Sequence, residues 1–309
     1  MQQIKIFTPA SVANVSCGFD ILGFCLDGIG DEMIIRKTDI KGVKITQITG
    51  YELPYETEKN VAGVAALALL DKLKPDFGIE IEIYKKIKPG SGIGSSSASA
   101  AGAVYGINAL LDYPLKTNEL IQFAMQGETL ASGVAHADNV APVLLGGFTL
   151  VKSTKPLQVL SLPTPSELYT VILHPKIEIK TADSRAVLPS QFLLETSVKQ
   201  AANLGSLVSA LYTNDYNLLG DSLHDYMVEP YRKELIPYFD EVKKLTGQAN
   251  TLGCGISGSG PSIFTLTKGK EQAEKTANLL TQFYQSTTIP FDIHLSKINT
   301  EGIRILESN

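Results

Sequence analysis

The chain has 309 residues, of which 44% are hydrophobic and 19% charged, with a formal net charge of −5 at pH 7. This is globular composition with material for about two domains, and the acidic balance excludes a general electrostatic grip on nucleic acid. The partners expected are small molecules or protein.

Three widely spaced cysteines, Cys17, Cys25 and Cys254, form neither a disulfide framework nor a metal knuckle, and free thiols fit a reducing compartment. The N-terminal stretch MQQIKIFTPASVAN turns polar too early for a signal peptide. No run nears the roughly 20 apolar residues of a membrane span. A soluble cytoplasmic protein is expected, and the sequon Asn14-Val15-Ser16 reads as chance.

Residues 4–8 (IKIFT), 31–36 (DEMIIR) and 43–48 (VKITQI) read as short strands. Residues 60–73 (NVAGVAALALLDKL) read as a buried helix capped by Asn60. In 79–87 (IEIEIYKKI), Ile79, Ile81 and Ile83 face one way and Glu80 and Glu82 the other, as in a half-buried antiparallel strand. The stretch KPGSGIGSSSASAAGA (88–103) follows. Beyond Ser95, Ala100, Ala103, Val104, Ile107, Leu110 and Leu111 recur at helical spacing. The order is therefore strand, glycine loop, helix N-terminus. A further helix is expected over 117–132, and VLLGGFTLV (143–151) reads as strand, turn, strand. Residues 152–167, rich in Pro, Ser, Thr and Lys, suggest a boundary near 155 that divides 1–155 from 156–309. The second half reads as strand 168–174, helices between 190 and 247, a glycine loop, strand 262–267, helix 270–285 and strand 291–298. Strands and helices without strict alternation imply an α+β fold in both halves.

A glycine loop entering a helix presents unpaired N–H groups at the positive end of the helix dipole, which is a ready anion site. Ser95, Ser96 and Ser97 add hydroxyls able to bond phosphate or ligate magnesium. A plain strand-to-helix connector with a serine cap has the same composition. No lysine follows the glycines, so the loop is not of the Walker type. GCGISG (253–258) matches the Rossmann string, but SGPSIFTL continues it as turn and strand, not as helix. On the 117–132 helix, Leu120, Ala124 and Glu128 share a face. A carboxylate there is costly unless paired or ligating, unless the helix has by then reached the surface. Taken alone, His136 reads as a structural or surface histidine, and Arg185 and Arg232 as surface charges.

Three stretches in order carry a resemblance that covers nearly the whole chain. PGSGIGSSSA (89–98) resembles the second signature motif of the GHMP kinase superfamily, which includes galactokinase, homoserine kinase, mevalonate kinase and phosphomevalonate kinase. PASVANVSCGFDILG (9–23) is similar to the N-terminal motif in its homoserine kinase form, and LGCGISGSGPSIFTL (252–266) to the C-terminal glycine motif. AHADNVAP (135–142) lies between them.

The resemblance implies a ribosomal protein S5 domain 2-like N-terminal ATP-binding domain and a ferredoxin-like C-terminal domain, with the site between them. It implies phosphorylation of the side-chain hydroxyl of L-homoserine by ATP and Mg2+, without nucleic acid or membrane partners. It does not decide between a monomer and a homodimer. ATP would be held by Lys88, Pro89, Gly90, Ser91, Gly92, Ile93, Gly94, Ser95, Ser96, Ser97 and Ala98, with Asn60 either reaching adenine or serving only as a cap. Ser96 and Glu128 would hold the metal. Asn14, Asp20, His136, Asn139, Thr181, Arg185, Arg232 and Gly258 would bind the amino acid, the two arginines meeting its carboxylate through their planar forks. Ser96, Glu128 and Asn139 would be the catalytic set. Mevalonate kinase-like members carry an aspartate at the place of Asn139, proposed there as a base. An asparagine cannot take a proton, so the resemblance implies transfer without an enzymic base. Asp138 is adjacent, but consecutive residues seldom point to the same place. The rivals are a sugar- or mevalonate-type kinase of the same superfamily and a non-catalytic ligand-binding relative.

Overall fold

The computed structural model describes residues 1–309, the side chain of Ser132 excepted. Strand β1 (Gln3–Ala13) pairs antiparallel with β2 (Leu22–Thr38). Both are long because apolar residues recur on one face: Ile4, Ile6, Met33 and Ile35 are wholly buried. Strand β3 (Val43–Thr49) leads to α1 (Val61–Leu73) and then to β4 (Gly78–Tyr84). In β4, Ile79, Ile81 and Ile83 are fully buried and Glu80 and Glu82 only partly so, which confirms the alternation. Each such isoleucine contributes roughly 1.5–3 kcal/mol of burial free energy. β4 is antiparallel to β2 but parallel to β3, with α1 as the crossover.

Helices α2 (Ser95–Leu110), α3 (Thr117–Ser132) and α4 (Val140–Leu145) complete the layer over this sheet. The small residues of α2 allow a close approach: a methyl group added at Gly102 would sit 2.4 Å from Thr8 Cγ2 and 2.5 Å from Met33 Sδ. The strand expected over the first part of 143–151 is instead α4. Val140, Ala141, Pro142, Val143 and Leu144 are all buried, and an unbroken apolar run has no period to tell helix from strand. The turn at Gly146–Gly147 then leads to β5 (Phe148–Thr154), which pairs with β2.

β6 (Leu157–Leu162) folds back on β5 as a hairpin, so the polar stretch around 155 is a turn within the first sheet. Beyond it come β7 (Leu168–Pro175), α5 (Thr181–Ala186), α6 (Leu194–Thr213), α7 (Tyr216–Asp221), α8 (Glu229–Arg232) and α9 (Phe239–Gln248). They are followed by β8 (Gly253–Ile256), β9 (Ile263–Lys268), α10 (Lys270–Gln285) and β10 (Phe291–Lys297). The last strand, β11 (Arg304–Ser308), returns to the first sheet and pairs with β1.

The first sheet runs β11-β1-β2-β4-β3, with β5 on β2 and β6 on β5. The second runs β10-β7-β9-β8, antiparallel throughout. That is the 4-1-3-2 order of a ferredoxin-like sheet, as expected, with α9 and α10 packed on it and α5 to α8 inserted between its first two strands. An apolar cluster that includes Val12, Phe24, Phe148, Phe264 and Leu266 joins the two sheets. In it the Phe24 ring lies 5.0 Å from that of Phe148 and 5.9 Å from that of Phe264. No helix among the described residues is long and apolar enough to cross a membrane.

Candidate active site

The glycine loop joins β4 to α2 and is held on both sides. Gly92 and Gly94 have φ of 82° and 71°, backbone that L side chains rarely adopt. A Cβ at Gly94 would lie 2.2 Å from Ser11 Oγ, and one at Gly92 would lie 2.7 Å from the carbonyl oxygens of both Ser257 and Gly260. Ser257 Oγ donates to the Gly92 carbonyl at 2.7 Å, and the Ser11 amide donates to the Ile93 carbonyl at 3.2 Å. The loop is therefore clamped between the end of β1 and the β8–β9 turn, which excludes a flexible linker.

Gly94 caps α2, so the N–H groups of its first turn have no partner inside the helix. They face a cavity of about 540 Å³ lined by Pro89, Gly90, Gly92, Gly94, Ser95 and Ser96 on this side. Lys88, Ser91, Ile93, Ser97 and Ala98 do not line it. Asn60 does not either: its Oδ1 accepts the Ala62 amide at 3.0 Å and its Nδ2 donates to the Pro54 carbonyl at 2.8 Å. Of the two roles expected for Asn60, the structure shows the cap.

Glu128 reaches the cavity from α3 and is only 6% exposed, so the helix has not come to the surface there. Burial pushes its carboxyl above the usual range, while the nearby Ser97 and Ser96 hydroxyls and the charge of Lys85 act against that. Ser96 and Glu128 offer the hard oxygen donors that magnesium prefers. Among the described residues no group of three or more His, Cys, Asp or Glu could hold a metal ion, so a magnesium ion here would complete its shell with water and ligand oxygens.

The opposite end of the cavity carries both signs of charge. Arg185 Nη2 on α5 donates to the Asp20 carboxylate at 2.7 and 2.8 Å. It also donates at 3.0 Å to His136 Nε2, which is thereby the acceptor nitrogen of a neutral ring, with Nδ1 3.7 Å from Asp20. Burial lowers the His136 pKa, consistent with that assignment. Asn14 Oδ1 accepts the Asp20 amide at 2.9 Å, and its Nδ2 donates to the Gly258 carbonyl at 2.7 Å. Asn14 and Asp20 both have positive φ, 71° and 62°. A backbone held in this region is a strained segment, of the kind that clusters at ligand sites. Arg232 is 3% exposed and donates to the carbonyls of Ser184 and Gly258, both at 3.0 Å. Burial and then Arg185 lower its pKa to about 10, which leaves it charged at neutral pH. Both guanidinium groups lie over the Phe19 ring, at 5.5 and 5.1 Å. Thr181, at the start of α5, also lines the cavity.

Between the two ends stand Asp138 and Asn139. Ser11 Oγ donates to Asn139 Oδ1 at 2.8 Å, and Asn139 lines the cavity. Contrary to expectation, Asp138 lines the cavity as well, because the chain turns into α4 there and Asn139 already has helical backbone angles. Burial first, then the charges of Asp20 and Glu128, raise the Asp138 pKa to about 7.

The cavity also carries Glu178, Lys180, Ser99 and Ser259, which escaped the sequence reading, as did a buried pair, Lys85 and Asp31. Lys85 lines the cavity, and its ammonium is buried against the Asp31 carboxylate. The signal was present: position 85 continues the inward parity of Ile79, Ile81 and Ile83, and Asp31 shares the parity of Met33 and Ile35. Charges at inward positions of two paired strands mark a buried ion pair.

Comparison with known proteins gives a consistent picture. The family model described as GHMP kinases N terminal domain matches residues 60–147, and that described as GHMP kinases C terminal matches 207–286. A homoserine kinase of Chlorobium phaeobacteroides (strain BS1) is 38% identical, with 99% of this chain and all of that protein covered. One of Chloroherpeton thalassium (strain ATCC 35110 / GB-78) is 41% identical at the same coverage. The crystal structure of homoserine kinase from Cytophaga hutchinsonii ATCC 33406 is 49% identical, with a TM-score of 0.95 over 99% of this chain and 98% of that one. A mevalonate kinase structure, 16% identical, superposes with a TM-score of 0.72 over 97% of this chain and all of the other, and shows the fold alone.

Proposed function

Because the chain belongs to the GHMP kinases, in their homoserine kinase branch, we propose that it transfers the γ-phosphoryl group of ATP to the side-chain hydroxyl of L-homoserine. The products are ADP and O-phospho-L-homoserine, a step towards threonine. One observation carries the choice of substrate: the Asp20–Arg185 pair at one end of the cavity, with Arg232 beside it, presents opposite charges within reach of one zwitterion. The substrate ammonium takes Asp20 and its carboxylate takes the arginines. A sugar or mevalonate has no such pair of charges to offer.

In this reading the amides of the α2 first turn and of the glycine loop, with the hydroxyls of Ser95 and Ser96, hold the phosphates. Ser96 and Glu128 hold Mg2+, which neutralises charge on the phosphates when bound. Asn139, fixed by Ser11, donates to the substrate hydroxyl oxygen and aims its lone pair. That oxygen forms the new bond to the γ-phosphorus as the bond to the β–γ bridging oxygen breaks. The transition state is loose, so positioning and charge neutralisation carry most of the rate. The hydroxyl proton leaves late, to a phosphate oxygen or to solvent, without an enzymic base. We assign 1–155 as the ATP-binding domain and 156–309 as the C-terminal domain, with β6 and β11 lent to the first sheet, and place the enzyme in the cytoplasm.

The test is ADP release with homoserine, mevalonate, galactose and shikimate offered in parallel. Turnover with homoserine alone is expected; none above background with homoserine would sink the proposal. Arg185→Leu should raise the homoserine KM by about 100-fold with a smaller change in kcat, as loss of a charge-assisted pair implies. An unchanged KM would remove Arg185 from the site.

A further inference from the structure

The glycine loop leaves β4 at one point and enters α2 at another, and one buried ion pair touches both. The Asp31 carboxylate on β2 accepts the backbone N–H groups of Lys86 at 2.7 Å and Ile87 at 2.9 Å, where the chain leaves β4. Its second oxygen receives the Lys85 ammonium. The remaining donors of that ammonium go to the far end of the loop: the Ser95 carbonyl at 2.8 Å and Ser99 Oγ at 3.1 Å, both in the first turns of α2. The Lys85 and Asp31 side chains are 1% and 0% exposed.

We propose that Lys85 and Asp31 form a positioning clasp that sets the aperture of the glycine loop for a nucleoside polyphosphate. A buried ion pair is seldom worth its desolvation, and an apolar pair of like volume is commonly as stable or more so. A pair that serves only the core is therefore replaceable. This pair is not placed as core: each partner holds a different end of the same loop. Moreover, the three ammonium hydrogens are all taken by protein acceptors, so Lys85 acts through the loop and not as a direct phosphate ligand. It fixes the backbone on which Ser96 sits.

The clasp rests on the kinase reading for the nature of its ligand, so its readout is nucleotide binding and not homoserine turnover. The experiment compares ADP affinity by calorimetry, thermal stability, and the KM values for ATP and homoserine. The variants are Lys85→Met, Asp31→Leu, the double Lys85→Met/Asp31→Leu, Lys85→Arg and Ser99→Ala. The single apolar variants, each leaving a lone buried charge, should lose both stability and ADP affinity. The double variant should recover stability while ADP affinity stays at least about 10-fold weaker, as misplacement near 1 Å implies. Its ATP KM should rise with the homoserine KM unchanged. Lys85→Arg should retain more affinity than Lys85→Met, and Ser99→Ala should weaken ADP about 3-fold, the loss of one ordinary hydrogen bond. A stable double variant with wild-type ADP affinity would overturn the proposal. Should the double variant not fold, unchanged ADP affinity in Ser99→Ala together with equal loss in Lys85→Arg and Lys85→Met would overturn it. Wild-type protein that binds ADP but leaves homoserine untouched would sink the substrate reading and leave the clasp standing.

Discussion

The Asp138 carboxyl, 4% exposed, has its pKa raised from 3.8 to about 7 by burial and by the charges of Asp20 and Glu128. Between those pH values the folded chain holds a proton that the unfolded chain has lost. Stability therefore falls as pH rises through this window and stays lowered above it. Asp138→Asn should match the wild type near pH 4 and melt a few degrees higher at pH 8, measured without nucleotide or divalent cations. A variant that melts lower at pH 8 would contradict this assignment. The same variant bears on the proton. Base-free transfer predicts a kcat within about 10-fold of wild type, whereas loss of a general base costs about 100- to 10,000-fold. Glu128→Gln should lower kcat by at least about 100-fold, the size of effect seen when one stabilising group is removed from a transition state. Activity close to wild type would take Glu128 out of the phosphoryl site. At this scale Asn139, Ser96 and Glu128 were legible from motif, and all three line the cavity. Asp138 was passed over because spacing along the chain says nothing about a turn into a short helix.

The glycine loop is the element on which the site depends, and its geometry leaves little room for change. Gly92→Ala would bring a methyl group to 2.7 Å from two backbone carbonyls at a φ of 82°. The β8–β9 turn would have to move. We expect lost ADP affinity and a Tm several degrees lower; unaltered ADP binding in calorimetry would show that the loop is not clamped as described. Sequence patterning located this element because alternation before it and helical spacing after it are both strong signals. Patterning misread 143–151, where a continuous apolar run buries on all sides, and it passed over β6 and β11. In β6 the polar turn at Lys155–Pro156 resembled a linker. In β11, Ile305 and Leu306 are exposed, so the strand is an edge held by backbone pairing and shows no buried stripe.

Across the whole molecule the two sheets form one support for the cavity. The phosphate end comes from β4, α2 and α3, the amino-acid end from the β1–β2 connection together with α5 and α8, and the β8–β9 turn presses on the loop between. The ferredoxin-like strand order could not be derived from composition or period; it came with the resemblance, because long-range pairing such as β10 on β7 leaves no local signature. The return of β11 to β1 ties the C-terminus to the first sheet. Removal of 304–309 should therefore expose the β1 edge, lower Tm and promote aggregation, read by light scattering on heating; a truncated chain as stable and soluble as the full one would show that β11 adds nothing. The central claim is that this cavity joins phosphate to the side-chain oxygen of a zwitterionic amino acid. Its most direct measurement is 31P and 1H NMR of the product formed from ATP and L-homoserine. The expected result is a phosphorus signal coupled to the side-chain methylene next to oxygen, appearing in step with ADP. ADP and free phosphate without that coupled signal would contradict it.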